Sequence, residues 1–195
     1  MKQLLKKYSL LVAVFLYTGA GLFAQAFKLP AYQKFTLKNG LTVYLMEQHE
    51  VPMISVSAIL PAGAIFDGQQ AGLASLTAAA LQHGTKSYSK QELDGAIDFI
   101  GASLSSYANK EYAGLSSSFA SKDMEKMMGI LSEVLTAPRF DTSEFSKEKR
   151  RTLIRLDQLK ESPRNVIGPY FDQFLYGDHV YGTIVSGTTA SVQPL

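Results

Sequence analysis

Histidine is the residue type of this chain best suited to metal binding and acid–base chemistry, and it occurs at His49, His83 and His179. A local metal site needs a second His, a Cys or a carboxylate three or four residues away on the same helix face. None of the three has such a neighbour. Each is therefore predicted to be a surface or helix-end residue rather than a ligand. The chain has no Cys, which excludes disulfides, thiolate metal sites and Cys nucleophiles.

Three further patterns contain residues that could take part in catalysis or binding, but each has a commoner structural explanation. Asp94 and Asp98 are one helical turn apart and would suit an acid–base pair, yet two like charges on a surface helix are commoner. Residues 84–87, Gly-Thr-Lys-Ser, lack the upstream glycine of a phosphate-binding loop. Residues 144–157 alternate acidic and basic charges, Glu148 among them, which predicts a solvated helix face rather than a polyanion site.

The first 26 residues have the pattern of a signal peptide. Lys2, Lys6 and Lys7 precede an apolar run at residues 10–16, and Ala-Gln-Ala at residues 24–26 is a small-x-small cleavage site. We expect cleavage after residue 26 and export to the periplasm or the extracellular space of a bacterial envelope. The alternative is an uncleaved anchor, but the segment contains Thr, Gly and Gln and is poorly apolar.

Composition and charge describe one folded domain. The chain has 195 residues, of which 46% are hydrophobic, so it can bury a core. Its formal net charge of +2 depends on the first 26 residues, because residues 27–195 carry 16 basic and 17 acidic side chains. The mature domain is near neutral, so no nucleic-acid partner is expected, and neither is a membrane after signal cleavage.

Strand signals and helix signals alternate along the chain, and the elements that they predict must position any functional site. Asn39 and Gly40 between two apolar-alternating runs predict a hairpin, and Ser89 with Glu92 predicts a capping box. These signals predict an α+β fold with a mixed or antiparallel sheet covered on one face by helices. The predicted strands are residues 33–37, 41–47, 53–60, 103–109 and 112–120, and the predicted helices are residues 71–82, 89–100, 123–135, 142–160 and 166–175.

Two of these helices have predicted core faces. In the helix at residues 123–135, a stripe of apolar residues recurs at helical spacing and is interpreted as core. The helix at residues 142–160 is predicted to bury a second stripe. The first stripe is Met124, Met127, Met128, Leu131 and Leu135, and the second is Phe145, Leu153, Leu156 and Leu159.

Residues 61–85 resemble the zinc-binding helix of the pitrilysin/insulinase family of metallopeptidases. The similarity extends over most of residues 33–195, and it implies the processing-peptidase-like α/β sandwich as the fold. Active members carry the inverted motif H-x-x-E-H between a Gly-Leu-Ala and a Gly-Thr, and a more distant Glu completes the zinc site. The residues that carry the resemblance are Gly63, Ala64, Ala71, Gly72, Leu73, Ala74, Gly84 and Thr85.

The resemblance also implies that the zinc site is lost. The two His positions correspond to Ser75 and Ala79, the Glu position to Ala78, and the distant ligand to Arg155. None of these side chains suits zinc, and a cation at Arg155 would repel it. We expect no catalytic residue, no metal and no cofactor in this chain, although zinc is the cofactor of active relatives.

Active relatives also pair a substrate peptide with an edge strand that carries an Asn-Ala pair. The corresponding residues here are Ser105 and Ser106, and Tyr107 follows them. Such pairing uses main-chain groups, so this strand is predicted to keep the ability to bind an extended peptide.

These expectations leave three functional hypotheses. The favoured one is a non-catalytic subunit that pairs with a homologue carrying the zinc motif and helps to enclose a peptide substrate. The second is an active zinc endopeptidase completed by ligands from a partner chain. The third is a free-standing peptide-binding domain of the cell envelope. Relatives of this kind repeat domains of about this size, so residues 27–195 are expected to be the first of two or more domains in a truncated chain.

Overall fold

The computed structural model describes residues 29–161 and 163–195, which form two compact units divided between Glu50 and Val51. The predicted signal peptide, residues 1–26, lies outside the described residues. The strands are β1 (Gln33–Thr36), β2 (Thr42–Leu45), β3 (Met53–Leu60), β4 (Ser103–Ala108) and β5 (Ala113–Ala120). The helices are α1 (Leu73–Ala80), α2 (Lys90–Phe99), α3 (Met124–Thr136), α4 (Thr142–Lys160), α5 (Pro163–Tyr176) and α6 (Thr189–Val192).

The first unit contains the predicted hairpin. β1 and β2 pair in antiparallel register, with Thr36 opposite Thr42. Gly40 takes a φ of +86°, which a glycine adopts without strain. The main-chain N–H of Leu41 donates to Oδ1 of Asn39 at 3.1 Å and closes the turn. The Asn-Gly signal therefore located this hairpin correctly.

The second unit is built around a three-stranded antiparallel sheet in the order β3-β5-β4. Helices α2 and α3 pack on one face of the sheet, which confirms the predicted α+β class. The opposite face carries two rows of serines across the three strands. The buried cluster is Leu93, Ile97, Leu115, Phe119, Met127, Ile130, Leu131 and Val134. The serine rows are Ser55, Ser118 and Ser103, and Ser57, Ser116 and Ser105.

The core stripe of α3 differs from the prediction. Met127 and Leu131 are buried as expected, but Met124 and Met128 are 52% and 46% exposed. The buried side instead continues through Ile130 and Val134, because one helix face repeats at intervals of three and four residues from Met127. The sequence stripe was therefore too wide at its N-terminal end.

Helix α4 spans the residues predicted for it. Oδ1 of Asp141 accepts from the main-chain N–H groups of Ser143 and Glu144 and caps the helix. Thr152 and Leu156 are its buried residues. Phe145, Leu153 and Leu159 are partly buried against the cluster that contains Leu156. Among the helices of residues 29–161 and 163–195, none has both the length and the apolar character needed to cross a bilayer.

A buried carboxylate sets the start of α1. Asp67 is 7% exposed, and its two oxygens accept from the N–H groups of Gly72 and Ala74 at 3.0 and 2.8 Å. Gly72 has a φ of +102°, so the chain cannot be helical there. Helix α1 consequently begins at Leu73 and not at residue 71.

The segment after α1 is held by helix α3. Thr85 is fully buried, and its hydroxyl donates to Oε2 of Glu133 at 2.7 Å. The hydroxyl of Ser87 donates to Oε1 of the same residue at 2.9 Å. These hydrogen bonds stabilise the carboxylate and lower the pKa of Glu133 below its ordinary value. Thr85 also forms an isolated antiparallel bridge with Pro138, which joins the segment after α1 to the segment after α3.

Glu133→Gln should reduce stability at neutral pH and have a smaller effect in acid. The lowered pKa of Glu133 means that its stabilising contribution is present above the ordinary value of 4.5 and is lost as pH falls through the folded-state value. Thermal unfolding of the unmodified protein and of Glu133→Gln is measured between pH 7 and pH 3. The two melting temperatures should converge below about pH 4.5.

The matched control is Glu125→Gln on the same helix. Glu125 is exposed, and no ion pair or side-chain hydrogen bond joins it to the described residues. At pH 7 its variant should differ less in melting temperature from the unmodified protein than Glu133→Gln does. A melting-temperature gap for Glu133→Gln that stays constant down to pH 3 would contradict this account of Glu133.

Candidate functional site

A cavity of about 230 Å³ lies where α1, β4 and α4 meet, and we call it the α1/β4/α4 cavity. Each of the three elements contributes three lining residues. These are Ser75, Leu76 and Ala79 from α1, Ser106, Tyr107 and Ala108 from β4, and Glu148, Thr152 and Arg155 from α4. The lining thus joins residues that are up to 80 positions apart in the chain.

The cavity brings together three of the four positions at which the resemblance places a lost zinc site. Ser75 and Ala79 line it from α1, and Arg155 lines it from α4. The fourth, Ala78, is buried and does not line the cavity. The carbonyl oxygen of Ala78 instead accepts a hydrogen bond from the hydroxyl of Ser106 at 2.6 Å.

The side chains in this cavity do not fit a zinc ion. A zinc site needs three protein donors drawn from His, Cys, Asp and Glu, and the cavity lining supplies the carboxylate of Glu148 alone. The guanidinium of Arg155 would repel a dication. Within the described ranges, no group of three such residues lies close enough to hold a metal ion.

Glu148 is a site residue that the charge pattern missed. Its side chain is 18% exposed and lines the cavity, whereas that of Arg151 is 65% exposed. The prediction of a solvated face is therefore wrong for Glu148. A signal was present, because Glu148 is four residues before the buried Thr152 and eight before the buried Leu156, which puts it on the inward stripe of α4.

His83 is buried, and one of its two ring nitrogens has no hydrogen-bond partner among the described residues. It is 5% exposed, and the nitrogen concerned is Nδ1. Desolvation lowers the pKa of His83, while the nearby carboxylates of Glu148 and Glu144 act in the opposite direction. His83 follows α1 closely, as expected for a helix-end residue, but the prediction of a surface position does not hold for it.

The predicted substrate-binding residues lie on β4, at the edge of the sheet. The N–H of Asn109 donates to the carbonyl of Tyr112 and closes the β4–β5 hairpin. Main-chain groups alternate in direction along a strand, so those of Leu104, Ser106 and Ala108 point to the free edge. Ser106 and Tyr107 line the cavity, whereas Ser105 is exposed and does not.

The side chain of Gln82 occupies part of this free edge. In the orientation of its amide that gives both ends a partner, Nε2 donates to the carbonyl of Leu104 at 3.2 Å, and Oε1 accepts from the N–H of Ser106 at 3.0 Å. Oε1 also lies 2.7 Å from the hydroxyl of Ser106, whose single proton it shares with the carbonyl of Ala78. A neighbouring peptide strand would form the same two bonds. Gln82 therefore takes the place of one residue of such a strand, and sequence patterns alone gave no sign of it.

A second cavity of about 370 Å³ lies beside the first half of β4. Asp94 and Asp98 line it from α2, together with Gln82, Ser103 and Leu104. Lys90 pairs with Asp94 at 2.6 Å. This ion pair agrees with the prediction that the two aspartates are surface charges on a helix.

The described residues thus form an antiparallel α+β domain in which the edge strand β4 lies beside α1, a helix rich in small residues. The family model described as insulinase (peptidase family M16) matches residues 42–189, and the chain belongs to that family. The family predicted from the sequence is therefore confirmed.

Individual relatives agree with this assignment. The crystal structure of a peptidase M16 inactive domain from Pseudomonas fluorescens superposes with a TM-score of 0.81 at 26% identity, over 84% of this chain and 40% of that one. Mitochondrial cytochrome b-c1 complex subunit 1 of Bos taurus is 26% identical over 91% of this chain and 37% of its own length. The mitochondrial-processing peptidase subunit beta of Rattus norvegicus is 24% identical over 85% of this chain and 34% of its own length. The chain thus spans little more than a third of these curated relatives.

Gln82→Ala should increase the affinity of the protein for extended peptides. A peptide that pairs with β4 must displace the Gln82 amide, which costs on the order of 1 kcal/mol, so its removal should tighten binding about five-fold. Fluorescence anisotropy with a labelled peptide of Ser, Thr and Val residues measures the change. Gln91→Ala, at an exposed glutamine of α2, is the control and should leave binding unaltered. Equal affinities for the Gln82 and Gln91 variants would show that the edge is not used.

Proposed function

We propose that this chain is an exported, catalytically inactive member of the insulinase family, which supports a peptide-processing complex by helping to enclose the substrate. The donor set of the α1/β4/α4 cavity is the observation that carries the proposal. Ser75 and Ala79 offer no zinc ligand, and Arg155 opposes a metal cation. Hydrolysis by the zinc mechanism requires both a bound metal and a base, and Ala78 cannot act as that base.

The open edge of β4 supports the peptide-binding part of the proposal. Main-chain groups at Ser106 and Ala108 lie beside the cavity, and strand addition needs these groups rather than particular side chains. A substrate held there would pass the place where active relatives carry zinc. Binding without cleavage is the outcome that this geometry favours.

The names of the relatives support a homologous partner. Two of them are named as subunits, one of the cytochrome b-c1 complex and one of the mitochondrial-processing peptidase. We propose that this chain likewise pairs with a homologue, one that carries H-x-x-E-H and supplies the zinc site. The peptide would then lie between the two.

Glu148 favours a second candidate function, an active zinc endopeptidase completed by a partner chain. Its carboxylate lines the cavity and is a possible zinc ligand. Two or more further ligands would have to come from the partner, and Arg155 would have to move away from the metal. The first function requires none of this.

Zinc content and peptide hydrolysis test the main proposal. The purified protein should contain far less than one zinc per chain by atomic absorption, and it should not cleave a quenched fluorescent peptide. Adding a homologue with the zinc motif should produce cleavage. Stoichiometric zinc together with hydrolysis by the isolated chain would refute the assignment.

Glu148→Gln distinguishes the two candidate functions when the variant is assayed together with the homologue that carries the zinc motif. If the zinc site belongs to the partner, this variant should leave the zinc content of the mixture and the order of magnitude of its activity unchanged. If Glu148 is a ligand, activity should fall by a factor of ten or more, in the range seen when metal-site partners are removed. Glu125→Gln is the control for a change of charge alone.

The proposed export has its own test. The basic residues near the N-terminus and the small-x-small site at residues 24–26 support cleavage after residue 26. Intact-mass measurement of the protein from the periplasm or culture medium of an expressing bacterium should show a chain that begins at Phe27. A chain that retains Lys2, Lys6 and Lys7 would support an anchor instead.

A further inference from the structure

We propose that the α1/β4/α4 cavity binds a carboxylate group of a peptide and that Arg155 is its cationic anchor. This inference rests on the proposed function, in which a peptide lies along β4. At this place active relatives bind a metal cation, whereas this chain would bind an organic anion. The carboxylate comes either from the C-terminus of the peptide or from an acidic side chain.

The unused donors of the cavity carry this inference. Arg155 lines the cavity but is itself an exposed residue. Across residues 29–161 and 163–195, no ion pair or side-chain hydrogen bond engages its guanidinium or the hydroxyls of Ser75 and Thr152. Thr152 is 6% exposed, so its hydroxyl has little contact with bulk water. A guanidinium presents paired N–H donors that match a carboxylate, and hydroxyls add further hydrogen bonds. A carboxylate is a ligand that accepts hydrogen bonds from both kinds of donor.

Glu148 determines where in the cavity that anion lies. It is seven residues before Arg155 on the same helix face, which corresponds to about 10 Å along the axis. Nη1 of Arg151 lies 3.6 Å from Oε2 of Glu148, so the charge of Glu148 is partly balanced outside the cavity. Its remaining field repels a carboxylate from that end. The ligand group is therefore directed to the end occupied by Arg155.

The size of the cavity limits the ligand to one small group. A volume of about 230 Å³ corresponds to roughly eight water molecules of the liquid, which is room for one terminal residue or one acidic side chain. The main chain of Ser106, Tyr107 and Ala108 forms one wall. A peptide paired with this strand can therefore turn one residue into the cavity while its main chain bonds to the edge.

Three labelled decapeptides of Ser, Thr and Val test the inference by fluorescence anisotropy with the purified protein. The first has an amidated C-terminus, the second a free C-terminal carboxylate, and the third an amidated C-terminus and one internal Glu. One or both of the carboxylate peptides should bind about ten-fold more tightly than the neutral one, as expected for a charge-assisted hydrogen-bonded pair. The tighter of the two identifies the source of the carboxylate.

Substitutions of Arg155 complete the test. Arg155→Met should abolish the preference for a carboxylate over the neutral peptide, and Arg155→Glu should reverse that preference. Arg150→Met, at an exposed arginine of α4 outside the cavity, should behave as the unmodified protein. Circular dichroism and thermal unfolding verify that each variant is folded.

The outcomes separate this inference from the proposed function. Equal binding of the three peptides, or a preference that survives Arg155→Met, overturns the carboxylate site and leaves peptide pairing with β4 in place. Binding of carboxylate peptides alone supports the site and contradicts strand pairing. Absence of binding by every peptide overturns both. Zinc content and hydrolysis are measured separately on the unmodified protein, so their outcome does not decide the carboxylate site.

Discussion

The close approach of helix α1 to strand β4 is the contact on which the rest of this domain depends. The hydroxyl of Ser106 donates to the carbonyl of Ala78 at 2.6 Å, a contact between a side chain of the strand and the helix backbone. A helix can come this near a strand only where its facing side chains are small. Ala78 and Ala79 meet that requirement, and α4 closes the remaining space to form the cavity.

Hydrogen bonds fix the position of α1 in this chain, whereas in active relatives a bound metal also helps to fix it. Ordinarily the free energy of metal binding contributes to the stability of a metalloprotein site. Here Asp67 fixes the N-terminus of the helix, and Glu133 fixes the segment that follows it through Thr85 and Ser87. The geometry of the region therefore persists without a metal ligand on α1.

Local signals predicted most of the elements of the fold. The hairpin at Asn39 and Gly40, the capping box at Ser89 and the limits of α4 depend on neighbouring residues, so they could be read from the sequence. The start of α1 could not, because it depends on the burial of Asp67. Sequence periodicity also could not show which side of α3 faces the sheet, and it placed Met124 and Met128 in the core.

The site was only partly predictable for the same reason. Ser75, Ala79 and Arg155 were found because a known family motif gives their positions, and the structure places them in one cavity. Glu148 was assigned to solvent because its neighbours in the sequence are charged, although its helix face is buried. Gln82 was predicted to be the last residue of the helix at residues 71–82, whereas α1 ends at Ala80, and the role of Gln82 depends on a strand more than 20 residues later.

The Gln82 contact also affects how copies of the protein behave toward one another. A strand at the edge of a sheet can pair with the same strand of a second molecule, which begins edge-to-edge aggregation. Gln82 satisfies one carbonyl and one N–H of β4 from within the chain. A second copy therefore meets an interrupted row of free groups at this edge, which disfavours pairing through β4, whereas a suitable peptide has only a single side chain to displace.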